Sequence, residues 1–186
     1  MPRHDMQQRQ TLRIDNRAFF AEVGRCLAEG KSVVVMATGN SMEPFFESHK
    51  HELRLRACAP GEPRRGDVVA ALTRGGNYVV HRVVGFGAGG DVALCGDGCA
   101  DGRGEWAARD GIVGIVSHYR CGSTGRFKSL ATAGRRLSWH LWPRPGRARR
   151  LALAIHHRIL LRLAWRMWKP EWMRECYRNY ETDKQL

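Results

Sequence analysis

Two residues in this sequence, a serine in a glycine-containing turn and a histidine inside an apolar strand, are of the types that act together as nucleophile and base. Ser41 lies in the segment GNSMEP, shortly after the β-branched run SVVVMA at residues 32–37. His81 interrupts the apolar segment YVVHRVVGF at residues 78–86. A serine hydroxyl becomes an effective nucleophile when a base takes its proton during attack, and a neutral histidine does this near pH 7. The pair predicts acyl-transfer chemistry if the fold brings the two side chains together.

Both residues also have ordinary structural explanations. Gly, Asn, Ser and Pro are common turn residues, so GNSMEP is also typical of a surface turn. His81 is also compatible with a core histidine that is satisfied by one hydrogen bond. The alternative to an enzyme is therefore a non-catalytic binding module that keeps the same turn and strand.

Apolar runs predict the elements that would position these residues. A short helix is expected to begin at Asn16 and to stop at Gly30. DVVAALT and YVVHRVVGF lie on either side of a glycine turn and predict a hairpin. Strands are predicted in SVVVMA, HELRLRA, DVVAALT, YVVHRVVGF, DVALCGD and GIVGIVSHYR. Short strands separated by turns predict a mainly β fold, a rolled antiparallel sheet with a short N-terminal helix and a basic C-terminal helix.

The same patterns divide the chain into four parts. Residues 1–30 contain a polar tail and the short helix, and residues 31–121 form the predicted core domain. Residues 122–146, rich in Gly, Ser, Arg and Trp, predict a basic linker. Residues 147–186 predict a basic amphipathic helix over 147–168 and a tail beyond Pro170.

Positive charge is concentrated in the C-terminal third. The 186 residues carry a net charge of +13, and residues 111–170 hold 13 Lys and Arg without any Asp or Glu. Such asymmetry favours an acidic partner surface. Two interpretations of residues 147–168 remain open: a helix on an anionic membrane, or a helix whose apolar side packs on the sheet. Nucleic acid is disfavoured because no recognised binding motif accompanies the basic run.

Composition also bears on location and cofactors. No apolar signal core is present near the N-terminus, and no uncharged apolar run reaches the ~18 residues of a membrane-spanning helix. The six cysteines lack zinc-knuckle spacing, so neither a metal nor a cofactor is expected. We therefore expect free thiols in a cytoplasmic protein that lies at the membrane surface if the basic helix docks there.

The order of motifs resembles the type I signal peptidase family, particularly its archaeal and endoplasmic-reticulum branch. Five segments between residues 33 and 117 carry the resemblance: Ser41-Met42-Glu43-Pro44, Gly66-Asp67-Val68-Val69, His81-Arg82-Val83-Val84, Gly96-Asp97 and Val113-Gly114-Ile115-Val116. Bacterial signal peptidases and LexA-type repressors share the fold but use lysine where this strand has His81. The sequence has no lysine between Lys50 and Lys128, so it is similar to the serine–histidine version.

The resemblance implies a role for each matching residue. Ser41 would be the nucleophile of a serine endopeptidase and His81 its general base. The backbone at Ser41, with Gly39 and Asn40 in the same turn, would meet the oxyanion. An acid after the His81 strand would orient the histidine, and Asp97 matches best, with Asp101 and Asp110 as alternatives. By strand alternation, Arg82 is expected to point away from His81.

The sequence departs from the family in two places. The segment before Ser41 is short and charged, whereas signal peptidases have an apolar anchor there. The Gly96-Asp97 pair is followed by GCADGRG instead of the usual asparagines. We therefore expect a peptidase dedicated to one peptide or protein precursor, with an inactive peptide-binding or membrane-docking module of the same fold as the alternative.

Overall fold

The described chain forms one sheet with a helix before it and a helix after it. The computed structural model describes residues 16–59, 61–132, 139–142 and 145–160. The helices and strands are α1 (Asn16–Ala28), β1 (Val33–Met36), β2 (His51–Arg56), β3 (Val68–Leu72), β4 (Tyr78–Phe86), β5 (Val92–Cys95), β6 (Glu105–Ala107), β7 (Ile112–Cys121), β8 (Lys128–Ser129) and α2 (Arg147–Ile155). The predicted mainly β fold with a helix at each end is confirmed.

All strand pairs are antiparallel, and the order across the sheet is β1-β2-β7-β3-β4-β5-β6, with β8 paired to β7. The predicted hairpin is β3 with β4, in a register that sets Val69 opposite His81. Helix α1 contacts β1, β4 and β7. Three strands lie between β1 and β4, yet both contact α1, so the sheet is rolled around this helix without closing into a barrel.

Strand β3 shows why the core needs continuous apolar runs. Its side chains alternate between two buried clusters, with Val68 and Ala70 in the cluster beneath α1 and Val69 and Ala71 in the cluster with β5 and β6. Successive side chains of a strand point to opposite faces, so a strand covered on both faces must be apolar throughout. This explains why β3, the VVAAL of the segment DVVAALT, is apolar throughout. Strand β4 pairs with β3 and is positioned by it.

Three elements differ from the sequence prediction. The short strand β6 was not predicted, because it lies in a glycine-rich and charged stretch with too few residues to show alternation. Strand β8 lies inside the predicted linker 122–146. Helix α2 continues as a π-helical stretch over His156–Leu160. The polar tail at residues 1–15 and the rest of the predicted basic helix and tail, residues 161–186, lie outside the described residues.

Two further expectations concern cysteines and membrane spans. The five cysteines in the described part of the chain are free thiols, and Cys176 lies outside it. Over the same residues, the structure contains no helix with the length and apolar character needed to cross a bilayer.

Candidate active site

Ser41 lies on the turn that follows β1, residues 37–46, hereafter the Ser41 turn. Gly39 adopts a φ of 78°, a left-handed conformation that favours glycine. No atom lies within 4 Å of the place where its Cβ would stand, so the requirement is the backbone conformation and not a close approach. Met42 and Phe46 anchor the turn in the core, with 5% and 1% of their surface exposed.

A second loop, residues 96–98, hereafter the GDG loop, holds the Ser41 turn from behind. The Gly98 N–H donates to the Ser41 carbonyl oxygen over 2.8 Å. A Cβ on Gly96 would stand 2.4 Å from that oxygen, and one on Gly98 would stand 2.6 Å from the Asn40 carbonyl oxygen. Both distances are far inside van der Waals contact, so the GDG loop needs its two glycines to support the backbone at Ser41.

The backbone of the Ser41 turn provides unused hydrogen-bond donors. The N–H groups of Asn40, Ser41 and Met42 have no acceptor among the described residues. The Gly39 N–H is occupied, because it donates to Ser48 Oγ over 3.0 Å. Free N–H groups beside a nucleophile are suited to stabilise an oxyanion. Asn40 thus contributes to the predicted donor set, whereas Gly39 contributes the conformation of the turn.

Ser41 and His81 line the same groove, a depression of about 530 Å³ between α1, β1 and β4, hereafter the groove. The two residues come from segments 40 positions apart, and the rolling of the sheet around α1 brings them together. No hydrogen bond joins their side chains within the described structure. Catalytic hydrogen bonds in ligand-free enzymes are often long and tighten when substrate binds.

The acid beside His81 is Glu105, which the sequence did not indicate. Glu105 Oε2 lies 2.9 Å from His81 Nδ1. The two atoms are close enough for a hydrogen bond but are not aligned for one. Both atoms are buried and have no other hydrogen-bond partner among the described residues. Glu105 belongs to β6, and the absence of a recognisable strand pattern there left no signal by which it could have been found.

Asp97, predicted to orient His81, is instead paired with Arg82. The Arg82 guanidinium donates to both Asp97 carboxylate oxygens, over 2.8 Å from Nε and 2.6 Å from Nη2, and to the Gly66 carbonyl oxygen over 2.7 Å. Arg82 and Asp97 are 7% and 3% exposed. Asp97 therefore holds the GDG loop against β4. Both alternatives are exposed: Asp101 pairs with Arg103, and Asp110 lies in the turn before β7.

Burial sets the protonation state of His81. It lowers the pKa of His81 below its ordinary value because the charged imidazolium loses solvation. The Glu105 carboxylate opposes this effect, and Asp97 adds a smaller contribution in the same direction. With its pKa below the ordinary value, His81 is neutral near pH 7, as a general base must be.

The described residues contain no group of His, Cys, Asp and Glu side chains that could hold a metal ion. The site thus consists of one hydroxyl, one imidazole with its carboxylate, and backbone N–H donors. Comparison of the chain with models of known protein families, with curated proteins and with solved structures found no match.

Proposed function

We propose that this protein is a serine endopeptidase in which Ser41 attacks a peptide carbonyl and His81 accepts the serine proton. The observation that carries the proposal is that Ser41 and His81 line one groove, beside N–H groups that have no acceptor among the described residues. A structural histidine would need no such neighbours. The resemblance of the five sequence segments to signal peptidases supports the same chemistry.

The chemical steps follow from these groups. Ser41 Oγ bonds to the carbonyl carbon as its proton moves to His81, and the oxyanion accepts hydrogen bonds from the N–H donors of the Ser41 turn. The C–N bond then breaks, and His81 returns the proton to the leaving amine, so that an acyl-enzyme remains. Water attacks this ester with His81 again as base, which releases the acid and restores the Ser41 hydroxyl.

The groove favours an extended peptide as substrate. Strand β1 pairs only with β2 in the described sheet, so one of its backbone edges is open to another strand. Val34 and Met36 on β1 are 43% and 44% exposed and line the groove together with Phe20. An added strand gains main-chain hydrogen bonds at such an edge and places alternate side chains in the groove. The substrate is therefore a precursor segment with apolar side chains.

Labelling with a fluorophosphonate probe tests this function. We expect the wild-type protein to be acylated at Ser41 and the Ser41→Ala variant to remain unlabelled, because only an activated serine reacts with such probes. Ser32→Ala is the matched control, since Ser32 is exposed next to the same strand, and this variant should label like the wild type. Mass spectrometry of the labelled peptide identifies the site. A folded wild type that never labels would favour the non-catalytic binding module.

Helix α2 supplies a separate partner surface, which we assign to anionic lipid. Its inward side holds Arg149 and Leu153, both 8% exposed, and Arg149 Nη1 donates to the Cys99 carbonyl oxygen over 3.2 Å. Its outward side exposes Leu151 and Ile155, at 64% and 43%. Among the described residues of α2, the alternative in which the apolar side packs on the sheet therefore accounts for Leu153 but not for Leu151 or Ile155.

The charge of the outward side favours anionic lipid as the partner. Arg147, Arg150 and Arg158 are exposed, and residues 111–170 contain no acid. Arginines among exposed Leu and Ile suit the boundary between phosphate headgroups and acyl chains. Nucleic acid would engage the arginines but leave the apolar side chains in water. Docking through α2 would place the peptidase on the cytoplasmic face of a membrane.

Vesicle flotation tests this surface on the full chain. We expect binding to phosphatidylcholine vesicles that contain phosphatidylserine, and a loss of at least about tenfold in the Leu151→Ser/Ile155→Ser variant, since the apolar contribution to insertion disappears. Val34→Ser/Met36→Ser removes two similarly exposed apolar side chains from β1 and should bind like the wild type. Equal flotation of the α2 variant, or binding to DNA without binding to vesicles, would contradict the assignment.

A further inference from the structure

The carboxylate beside His81 reaches it from a strand two positions away in the sheet. Glu105 on β6 pairs with Leu94 on β5, and β5 in turn pairs with β4, which carries His81. The side chain spans this distance to bring Oε2 within 2.9 Å of Nδ1. About a third of the Glu105 side chain is exposed (36%), yet its Oε2 atom is buried.

Burial of these two atoms makes their contact significant. A buried polar atom without a partner costs about 1–3 kcal/mol. His81 Nδ1 and Glu105 Oε2 each lack an aligned hydrogen bond elsewhere among the described residues. At 2.9 Å the two atoms lie within hydrogen-bonding distance of each other, so each is the available partner of the other. Asp97 is not available for this purpose, since Arg82 engages both of its oxygens.

We infer that Glu105 is the positioning residue of the site: it keeps the proton of neutral His81 on Nδ1, so that Nε2 is the nitrogen that accepts the proton of Ser41. The inference rests on the proposed peptidase function and adds a third residue to it. Two arrangements would otherwise compete, since a neutral imidazole carries its proton on either nitrogen. With the proton on Nε2, the ring could not accept the serine proton at that atom. A carboxylate beside Nδ1 accepts a hydrogen bond from an Nδ1–H group and so disfavours the Nε2–H tautomer.

The groups around His81 determine the expected pH dependence. The charges that act on its titration are Glu105 from β6 and Asp97 from the GDG loop, the latter already paired with Arg82 of β4. Of the two carboxylates that raise the pKa of His81, Glu105 has the larger effect, and replacing Glu105 by glutamine removes its charge. The pKa of His81 should therefore fall further below its ordinary value. Because His81 must be neutral to act as base, the acid limb of the activity profile, the range in which activity rises with pH, should move to lower pH.

Nitrogen NMR of the imidazole in the Ser41→Ala background provides the test. We expect the Nδ1–H tautomer to dominate, the His81 titration midpoint to fall in Glu105→Gln, and the tautomer preference to be lost in Glu105→Leu. Asp101→Asn is the control, because it removes an exposed carboxylate near the GDG loop and should leave both properties unchanged. Unchanged tautomer and midpoint in both Glu105 variants would overturn the inference.

Acylation rates with Ser41 intact complete the experiment. Glu105→Gln should lower the rate of probe labelling at least about tenfold at pH 7, and its acid limb should lie at lower pH than that of the wild type. A structural role alone would lower the melting temperature without moving the limb. If the wild type never labels while the NMR results hold, the proposed function fails and the contact between Glu105 and His81 stands. The two outcomes are therefore distinguishable.

Discussion

Replacing His81 with glutamine will slow acylation of Ser41 by about 100-fold to 10,000-fold. Glutamine has a similar size and keeps hydrogen-bonding atoms, but it cannot accept a proton near neutral pH. The Ser41 hydroxyl would have to lose its proton to water in the attack step, while the N–H donors of the Ser41 turn stay in place. The measurement is the second-order rate of fluorophosphonate labelling, with thermal unfolding followed in parallel.

His118→Gln is the matched control for this loss. His118 also lies within a strand, β7, and is partly buried, but it lines a different cavity of about 450 Å³ and its Nδ1 contacts Ser117 Oγ over 3.0 Å. We expect this variant to label at the wild-type rate. A His81→Gln protein that is folded and labels as fast as the wild type would rule out His81 as the base.

The elements that carry Ser41 and His81 were predictable because their signals are local. Five β-branched or apolar runs and one alternating run mark the longer strands, and the glycine turn between DVVAALT and YVVHRVVGF marks a hairpin. Strand periodicity alone places His81 and Arg82 on opposite faces. In the structure they engage different acids, Glu105 and Asp97, which is consistent with that prediction.

The acid beside His81 could not be predicted from these signals. The contact between Glu105 and His81 depends on the register of β4, β5 and β6. Strand β6 has only three residues, Glu105–Ala107, which are too few to show a strand pattern. Asp97 is nearer than Glu105 to His81 along the sequence, but Arg82 and His81 compete for its carboxylate, and Arg82 is the residue that binds it. A guanidinium on the neighbouring residue of β4 offers two parallel donors to both oxygens of Asp97, whereas His81 offers one. The sequence contains both residues without showing which pair forms.

The Arg82–Asp97 pair connects the strand that carries His81 to the loop behind Ser41. It fixes the GDG loop to β4, and the GDG loop supports the Ser41 carbonyl through Gly98. The Trp142 indole N–H adds to this support by donating to the Asp97 carbonyl oxygen over 3.0 Å. The strand that carries His81 and the turn that carries Ser41 are thus connected through the Arg82–Asp97 ion pair and the GDG loop.

Asp97→Ala will lower the free energy of unfolding by about 3–5 kcal/mol, because it removes the carboxylate that balances the buried Arg82 charge and leaves the Gly66 carbonyl oxygen as the hydrogen-bond acceptor of Arg82 among the described residues. For a chain of this size the melting temperature should fall by on the order of 10 °C. The measurement is thermal and denaturant unfolding of the full chain. Asp97→Asn should also be destabilised, since an amide cannot balance the guanidinium charge and accepts at one atom only.

Asp91→Ala is the control that shows whether the loss of stability in Asp97→Ala comes from the burial of the ion pair or from the loss of any ion pair. Arg74 donates to Asp91 through two bonds of 2.8 Å, the same bidentate geometry, but the Arg74 side chain is 61% exposed. Exposed ion pairs contribute at most about 1 kcal/mol, so this control should unfold close to the wild type. Equal losses in both variants would show that burial of Arg82 is not the cause. An Asp97→Asn protein with wild-type stability and slow labelling would instead return Asp97 to the role of orienting His81, and Glu105 would lose it.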